Sequence, residues 1–284
     1  MYPPFDPVLV QIGPLAIRWY GLFIISGVLL SAWIVGKYVA RKGQDPNHVW
    51  DGLLWVLIPA LIGARLYYVF IQSPRGPDGF DRYMANPLEI VNITAGGLHI
   101  FGGFIFGAAA VYVYARRRNL PIRVYLDGVG LALPLGQAVA RWANFINQEL
   151  YGPPTTLPWG LRIDPEHRIA PYNDLTAYPE SARFHPLFLY ESVWNFIGFG
   201  ALWFISRRFA GRLRDGDMLL LYMIWYPTGR FFIEFVRTDS WFFPGTPFNV
   251  VHVLSAVVII AAAVTLVWRH RARSSAGPAQ TPTP

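Results

Sequence analysis

The sequence contains no cysteine and little charge. Without cysteine there is no disulfide and no thiolate metal site, so any thiol in its chemistry must arrive with a substrate. Only 14% of the 284 residues are charged, against about 25% in a soluble domain. A chain so poor in charge cannot cover a soluble surface, and its 54% hydrophobic content calls for an apolar solvent. No HExxH, paired-aspartate or clustered Cys/His pattern occurs, so neither a metal nor a cofactor is expected. A GxSxG elbow is also missing. Met1 to Pro14 hold prolines and Asp6 but no basic n-region, which predicts that the first apolar run is retained.

What is present is a series of seven apolar stretches, at about 19–40, 49–71, 97–115, 124–146, 186–206, 216–236 and 248–268. Each approaches the roughly 20 residues needed to cross hydrocarbon, and lipid tolerates only structures that satisfy their own backbone. The expectation is an all-α polytopic membrane protein with about seven transmembrane helices. The net charge of +7 would suggest nucleic acid in a soluble protein. Here the basic residues gather at alternate ends: Lys37, Arg41 and Lys42; Arg116, Arg117, Arg118 and Arg123; Arg207, Arg208, Arg212 and Arg214; Arg269, Arg271 and Arg273. The positive-inside rule then places the N-terminus outside and the C-terminus in the cytoplasm, and no nucleic-acid partner is expected. Residues 72–96 and 147–185, rich in Pro, Gly, Asn and Asp, read as long outer loops. A single transmembrane catalytic domain over 1–270 and a disordered cytoplasmic tail at 271–284 complete the organisation.

The informative residues are charges inside these stretches: Arg18, Arg65, Arg141, Arg230 and Arg237 with Glu149, Glu191 and Glu234. Each costs about 2.5–3.5 kcal/mol at a span centre, which makes it a candidate functional group. Tyr226, Arg230, Glu234 and Arg237 recur at helical spacing and form one narrow polar stripe. An Arg230–Glu234 pair that only glues helices together is the structural alternative. Arg141, Asn144 and Gln148 share a face if helical, with Glu149 at its edge. An arginine beside amides and an acid suits an anionic, oxygen-rich ligand, because guanidinium meets phosphate through a two-point fork. Snorkelling of Arg141 to the interface is the alternative there. Gly96 and Gly97 suggest a turn at a site entrance, Gly103 and Gly107 helix packing.

These segments together resemble the prolipoprotein diacylglyceryl transferase family over about residues 17–268. The segments are Ile17-Arg18-Trp19-Tyr20-Gly21-Leu22, Gly63-Ala64-Arg65-Leu66-Tyr67-Tyr68, and Gly96-Gly97-Leu98-His99-Ile100-Phe101-Gly102-Gly103. Then come Arg141-Trp142-Ala143-Asn144-Phe145-Ile146-Asn147-Gln148-Glu149-Leu150-Tyr151-Gly152, His185-Pro186 with Leu189-Tyr190-Glu191, and Gly229 through Arg237. The chain departs from the family pattern at Ala140, where the signature begins with glycine, and at Phe101, where many members carry histidine.

The resemblance implies transfer of a diacylglyceryl group from phosphatidylglycerol to the lipobox cysteine of a preprolipoprotein signal peptide, in the bacterial inner membrane near its outer face. It implies catalytic roles for Arg141, Arg230, Tyr20 and His99, with Arg141 and Arg230 gripping the phosphate. Substrate binding would fall to Arg141, Asn144, Glu149, Gly152, Tyr226, Glu234, Arg237, Gly96 and Gly97. The proton acceptor stays open between His99, His185 and Glu191. A lipid or solute transporter, a metal-dependent headgroup enzyme and a membrane scaffold are the competing readings. The first lacks visible repeated halves, the second converging acids, and the third an explanation of the arginine stripes.

Overall fold

The computed structural model describes residues 1–3, 6–13, 15–74, 79–92 and 96–274. Among them, seven helices of 18 residues or more fall on the seven apolar stretches: α1 (Trp19–Arg41), α2 (Asn47–Tyr67), α5 (Ile100–Arg117), α6 (Ile122–Ile146), α7 (Leu187–Arg208), α8 (Asp217–Glu234) and α9 (Val250–Ser274). A π-helical turn, Tyr68–Gln72, extends α2, and two short helices, α3 (Phe80–Ala85) and α4 (Leu88–Val91), follow it. Four helical stretches are long and apolar enough to cross a membrane: Trp19–Arg41, Asn47–Gln72, Leu187–Arg208 and Val250–Arg271. Helices α6 and α8 contain Asp127, Arg141, Asp217, Arg230 and Glu234, and those charges lower their hydropathy. Leu54, Ile58, Phe104, Val264 and Trp268 remain exposed on the helix faces, as expected of surfaces that meet lipid rather than water. Helix α9 runs through Ser274, and the remaining tail at 275–284 lies outside the described residues.

The chain forms two compact units, one from residues 36–125 and one from 1–35 with 126–284. In the first, α2 packs along α5 through glycines. A Cβ on Gly102 would fall 2.1 Å from the Gly63 carbonyl oxygen, so this pair sets the approach, more tightly than Gly103 or Gly107. Gly96 and Gly97 both have positive φ, at 83° and 72°, which is cheap only for glycine. Their carbonyls accept from Arg65 Nη1 at 2.8 and 2.9 Å. Arg65 Nε and Nη2 reach the carbonyls of Ile90 and Glu89 at 2.8 and 2.6 Å. Its buried guanidinium therefore anchors the chain after α2, a structural use of a charge that the sequence alone leaves as a functional candidate.

In the second unit, strand β1 (Val8–Ile12) pairs antiparallel with β2 (Leu15–Arg18), and Arg18 ends that strand as an exposed residue. Helix α1 meets α6 where a Cβ on Gly27 would lie 2.8 Å from the Gly136 carbonyl. The segment after α6 is ordered, with strands β3 (Leu161–Arg162) and β4 (Arg183–Phe184) paired antiparallel. Phe145, Tyr151, Leu161, Ile163, Phe184 and Phe188 form its core. Buried Arg168 gives Nε to the Ile163 carbonyl at 2.9 Å and its other nitrogens to the carbonyls of Tyr178, Pro179 and Glu180. Helices α7 and α8 interlock through Trp194 and Trp225, stacked 4.6 Å apart. Each indole Nε1–H donates to the other's carbonyl at 3.2 Å, and each indole lies over the other helix's glycine, Gly229 or Gly198. Asp127 of α6 accepts from the backbone N–H groups of Gly216 and Leu219 at 2.6 and 3.1 Å, capping α8.

Candidate active site

The site begins at the C-terminal end of α6. That helix stops at Ile146 because Gln148 and Leu150 adopt left-handed φ angles of 52° and 55°. The turn-back lets Glu149 Oε1 accept from Asn144 Nδ2 at 2.7 Å. Asn144 Oδ1 in turn accepts from Arg141 Nη1 at 3.2 Å. The expected Arg141–Asn144–Glu149 constellation is therefore a hydrogen-bonded relay. Gln148 is not part of it. Its amide exchanges two 2.7 Å bonds with Asp164, from Nε2 to Oδ2 and from the Asp164 N–H to Oε1. The shared face expected for Gln148 is lost because the helix ends two residues before it. Burial opposes ionisation of Asp164, but bonds from Gln148 and Tyr2 outweigh it and hold the carboxyl below its ordinary value.

From Arg141 the charges alternate. Arg141 Nε lies 2.5 Å from Glu191 Oε2 on α7. Glu191 Oε1 lies 3.7 Å from Arg237 Nη1, and Arg237 Nε lies 3.9 Å from Glu234 Oε2. Glu234 Oε2 lies 2.7 Å from Arg230 Nη2, one turn back on α8. Glu234 Oε1 accepts from Asn249 Nδ2 at 3.0 Å, tying in the start of α9. Arg237 also forks onto Asp239 at 2.9 and 2.5 Å. Glu191 and Glu234 are buried, and buried carboxylates stay ionised only when paired. The polar stripe of α8 is thus one part of a ladder that joins Arg141 to Arg230 through two acids and a third arginine.

Neither terminal arginine is fully used. A guanidinium has five N–H donors; Arg141 engages Nε and Nη1, and Arg230 engages Nη2. Arg230 Nη1 is buried with no hydrogen-bond partner among the described residues. The two side chains keep 25% and 18% of their surface exposed, so a ligand can reach both. A small, water-sized cleft borders Arg230, Glu191, Tyr226, Trp194 and Asn195. It has room for one polar group and none for an acyl chain.

The remaining expected residues are placed as follows. Tyr20, in the first turn of α1, is within electrostatic reach of Glu149 and Arg141. Tyr226 stacks on Tyr222 at 5.8 Å and lines the cavity. Gly152 packs under the end of α8, where a Cβ would lie 2.7 Å from the Val236 carbonyl. Gly96, Gly97 and His99 belong to the other compact unit. There His99 caps α5, its Nδ1 accepting from the Phe101 N–H at 3.4 Å, and its ring stacks on Tyr67 at 4.8 Å. Sequence reasoning missed Asn195 and Asn249, since an asparagine in an apolar run carries no motif. It underrated Glu191, whose place between two arginines depends on α7 packing against α8. Among the described residues, no group of three His, Cys, Asp or Glu side chains could hold a metal ion.

A family model described as prolipoprotein diacylglyceryl transferase matches residues 7–268. A phosphatidylglycerol–prolipoprotein diacylglyceryl transferase of Chloroflexus aggregans is 41% identical over 300 residues, covering 100% of this chain and 95% of the relative. One of Symbiobacterium thermophilum is 41% identical over 273 residues, covering 96% of each. One of Synechococcus elongatus is 40% identical over 265 residues, covering 92% and 86%. On that match and these identities, the chain belongs to the prolipoprotein diacylglyceryl transferase family.

Proposed function

We propose that the protein transfers the diacylglyceryl group of phosphatidylglycerol to the thiol of the lipobox cysteine in preprolipoproteins, the first step of bacterial lipoprotein maturation. It acts as a multi-pass protein of the bacterial inner membrane. In this reading the chain crosses the membrane seven times with its N-terminus outside and its C-terminus in the cytoplasm, and the α6–α8 ladder lies near the outer face. The single observation that carries this reading is the ladder itself, which holds Arg141 and Arg230 in one ion network while leaving N–H donors on both.

In the step, the thiolate sulfur attacks the glyceryl carbon that bears the phosphate. The carbon–oxygen bond breaks, its electron pair leaves with glycerol phosphate, and a thioether forms. Charge grows on the departing phosphate, and preorganised donors aimed at such charge are the largest single source of catalysis. Arg141 and Arg230 supply them. Asn144 with Glu149 fixes the rotamer of Arg141, while Glu234 and Arg237 fix that of Arg230. The same positive field lowers the cost of forming thiolate from a thiol of pKa about 8.5. Tyr20, Tyr226 and Gly152 shape the substrate's surroundings.

The test is a purified-protein assay with phosphatidylglycerol and a lipobox peptide, without added metal. Thioether product with release of glycerol phosphate is expected. Solute movement across a vesicle membrane without product would replace this reading with the transporter.

A further inference from the structure

Asn195, on α7, is 1% exposed. Its Nδ2 donates to the Glu191 carbonyl at 2.9 Å. That bond fixes the amide's orientation, because the opposite flip would set two oxygens face to face. The other amide atom, Oδ1, is buried with no hydrogen-bond partner among the described residues. Asn195 lines the same cavity as Arg230, whose Nη1 is also buried and unpartnered. A buried polar atom without a partner is costly, and here Asn195 Oδ1 and Arg230 Nη1 both incur that cost around one small space, beside Glu191 Oε2, which has no hydrogen bond but is ion-paired with Arg141.

We infer that Asn195 Oδ1 is a headgroup-selecting acceptor: it takes a hydrogen bond from a hydroxyl of the alcohol esterified to the donor lipid's phosphate, beside the Arg230 N–H that takes a phosphate oxygen. This rests on the proposed function. The pairing of acceptor and donor suits a polyol phosphate and rejects an alkyl phosphate, because an alkyl group leaves Oδ1 buried and unpaired. Sites built around a substrate hydroxyl reject the analogue lacking it far more strongly than apolar pockets reject a missing methylene. The cleft beside Oδ1 is water-sized, which suits a single hydroxyl of the headgroup and not the whole of it.

The test compares phosphatidylglycerol with phosphatidylpropanol, the same lipid with a headgroup lacking free hydroxyls, as donors to a lipobox peptide. The wild-type protein should prefer phosphatidylglycerol in kcat/KM by at least about tenfold, the equivalent of one hydrogen bond to a buried acceptor. In Asn195→Leu, which keeps the shape without the oxygen, and in Asn195→Ala, the phosphatidylglycerol rate should fall and the preference shrink toward unity, with phosphatidylpropanol little changed. Equal loss with both donors would mean a packing role and overturn the inference. Equal use of both donors by the wild type would overturn it even where a variant fails to insert. No transfer by the wild type from either donor would instead sink the proposed function on which it rests.

Discussion

Arginine N–H groups are used in two different ways in this chain. Arg65 and Arg168 give theirs to loop carbonyls and are structural anchors. Arg141 and Arg230 bind one carboxylate each and keep donors open. The residue types in the sequence do not separate these uses, because the partners of Arg65 and Arg168 are backbone oxygens, which any residue can supply. Arg168→Met should therefore destabilise the segment between Tyr151 and Phe184 by about 2–4 kcal/mol, from orphaned carbonyls and a lost charged donor. Limited proteolysis and thermal unfolding in detergent should show earlier opening there. Glu234→Gln should act differently. It removes the acid between Arg230 and Arg237, and buried charges left without a partner cost about 3–5 kcal/mol. A melting temperature equal to that of the wild type would refute the ladder's buried, paired character.

At the scale of elements, hydropathy located all seven long helices, but not their ends. The stop of α6 rests on left-handed Gln148 and Leu150, neither of them glycine, so no breaker residue announced it. The reason lies in tertiary pairing, with Gln148 and Tyr2 meeting the Asp164 carboxyl. The depressed pKa of Asp164 means that its contribution is fully present above its ordinary value of 3.8 and lost as pH falls through the lower folded value. Asp164→Asn should abolish that part of the acid dependence, measured as unfolding midpoint against pH between neutral and strongly acidic conditions. The tryptophan interlock was equally unmarked in the sequence, because one glycine in an apolar helix resembles any other. Gly198→Ala or Gly229→Ala places a Cβ 2.2 Å from an indole Nε1 that already holds a hydrogen bond. Each should cost about 1–3 kcal/mol by overpacking, while Gly200→Ala, with nothing within 4 Å, should be neutral in the same melt.

For the whole molecule, the lack of cysteine is an experimental advantage. Single cysteines at Thr176, in the segment after α6, and at Gly211, between α7 and α8, meet a background without thiols. A membrane-impermeant thiol reagent added to intact cells stripped of any outer membrane should label Thr176→Cys and spare Gly211→Cys. The reverse pattern would invert the proposed topology. The proposed orientation rests on charge distribution alone, since basic clusters mark the cytoplasmic side whatever the fold. It could not show which charges share a site, because that depends on α6, α7 and α8 converging.

The proposed catalysis depends most on Arg141 and Arg230 acting on one phosphate, and a double-mutant cycle on the transfer reaction tests this directly. Arg141→Ala and Arg230→Ala should each lower kcat by at least about 100-fold in protein that still inserts. The double variant should fall little further, because groups that act as a unit are strongly non-additive. Full activity in either single variant, or losses that simply multiply in the double, would contradict the shared clamp.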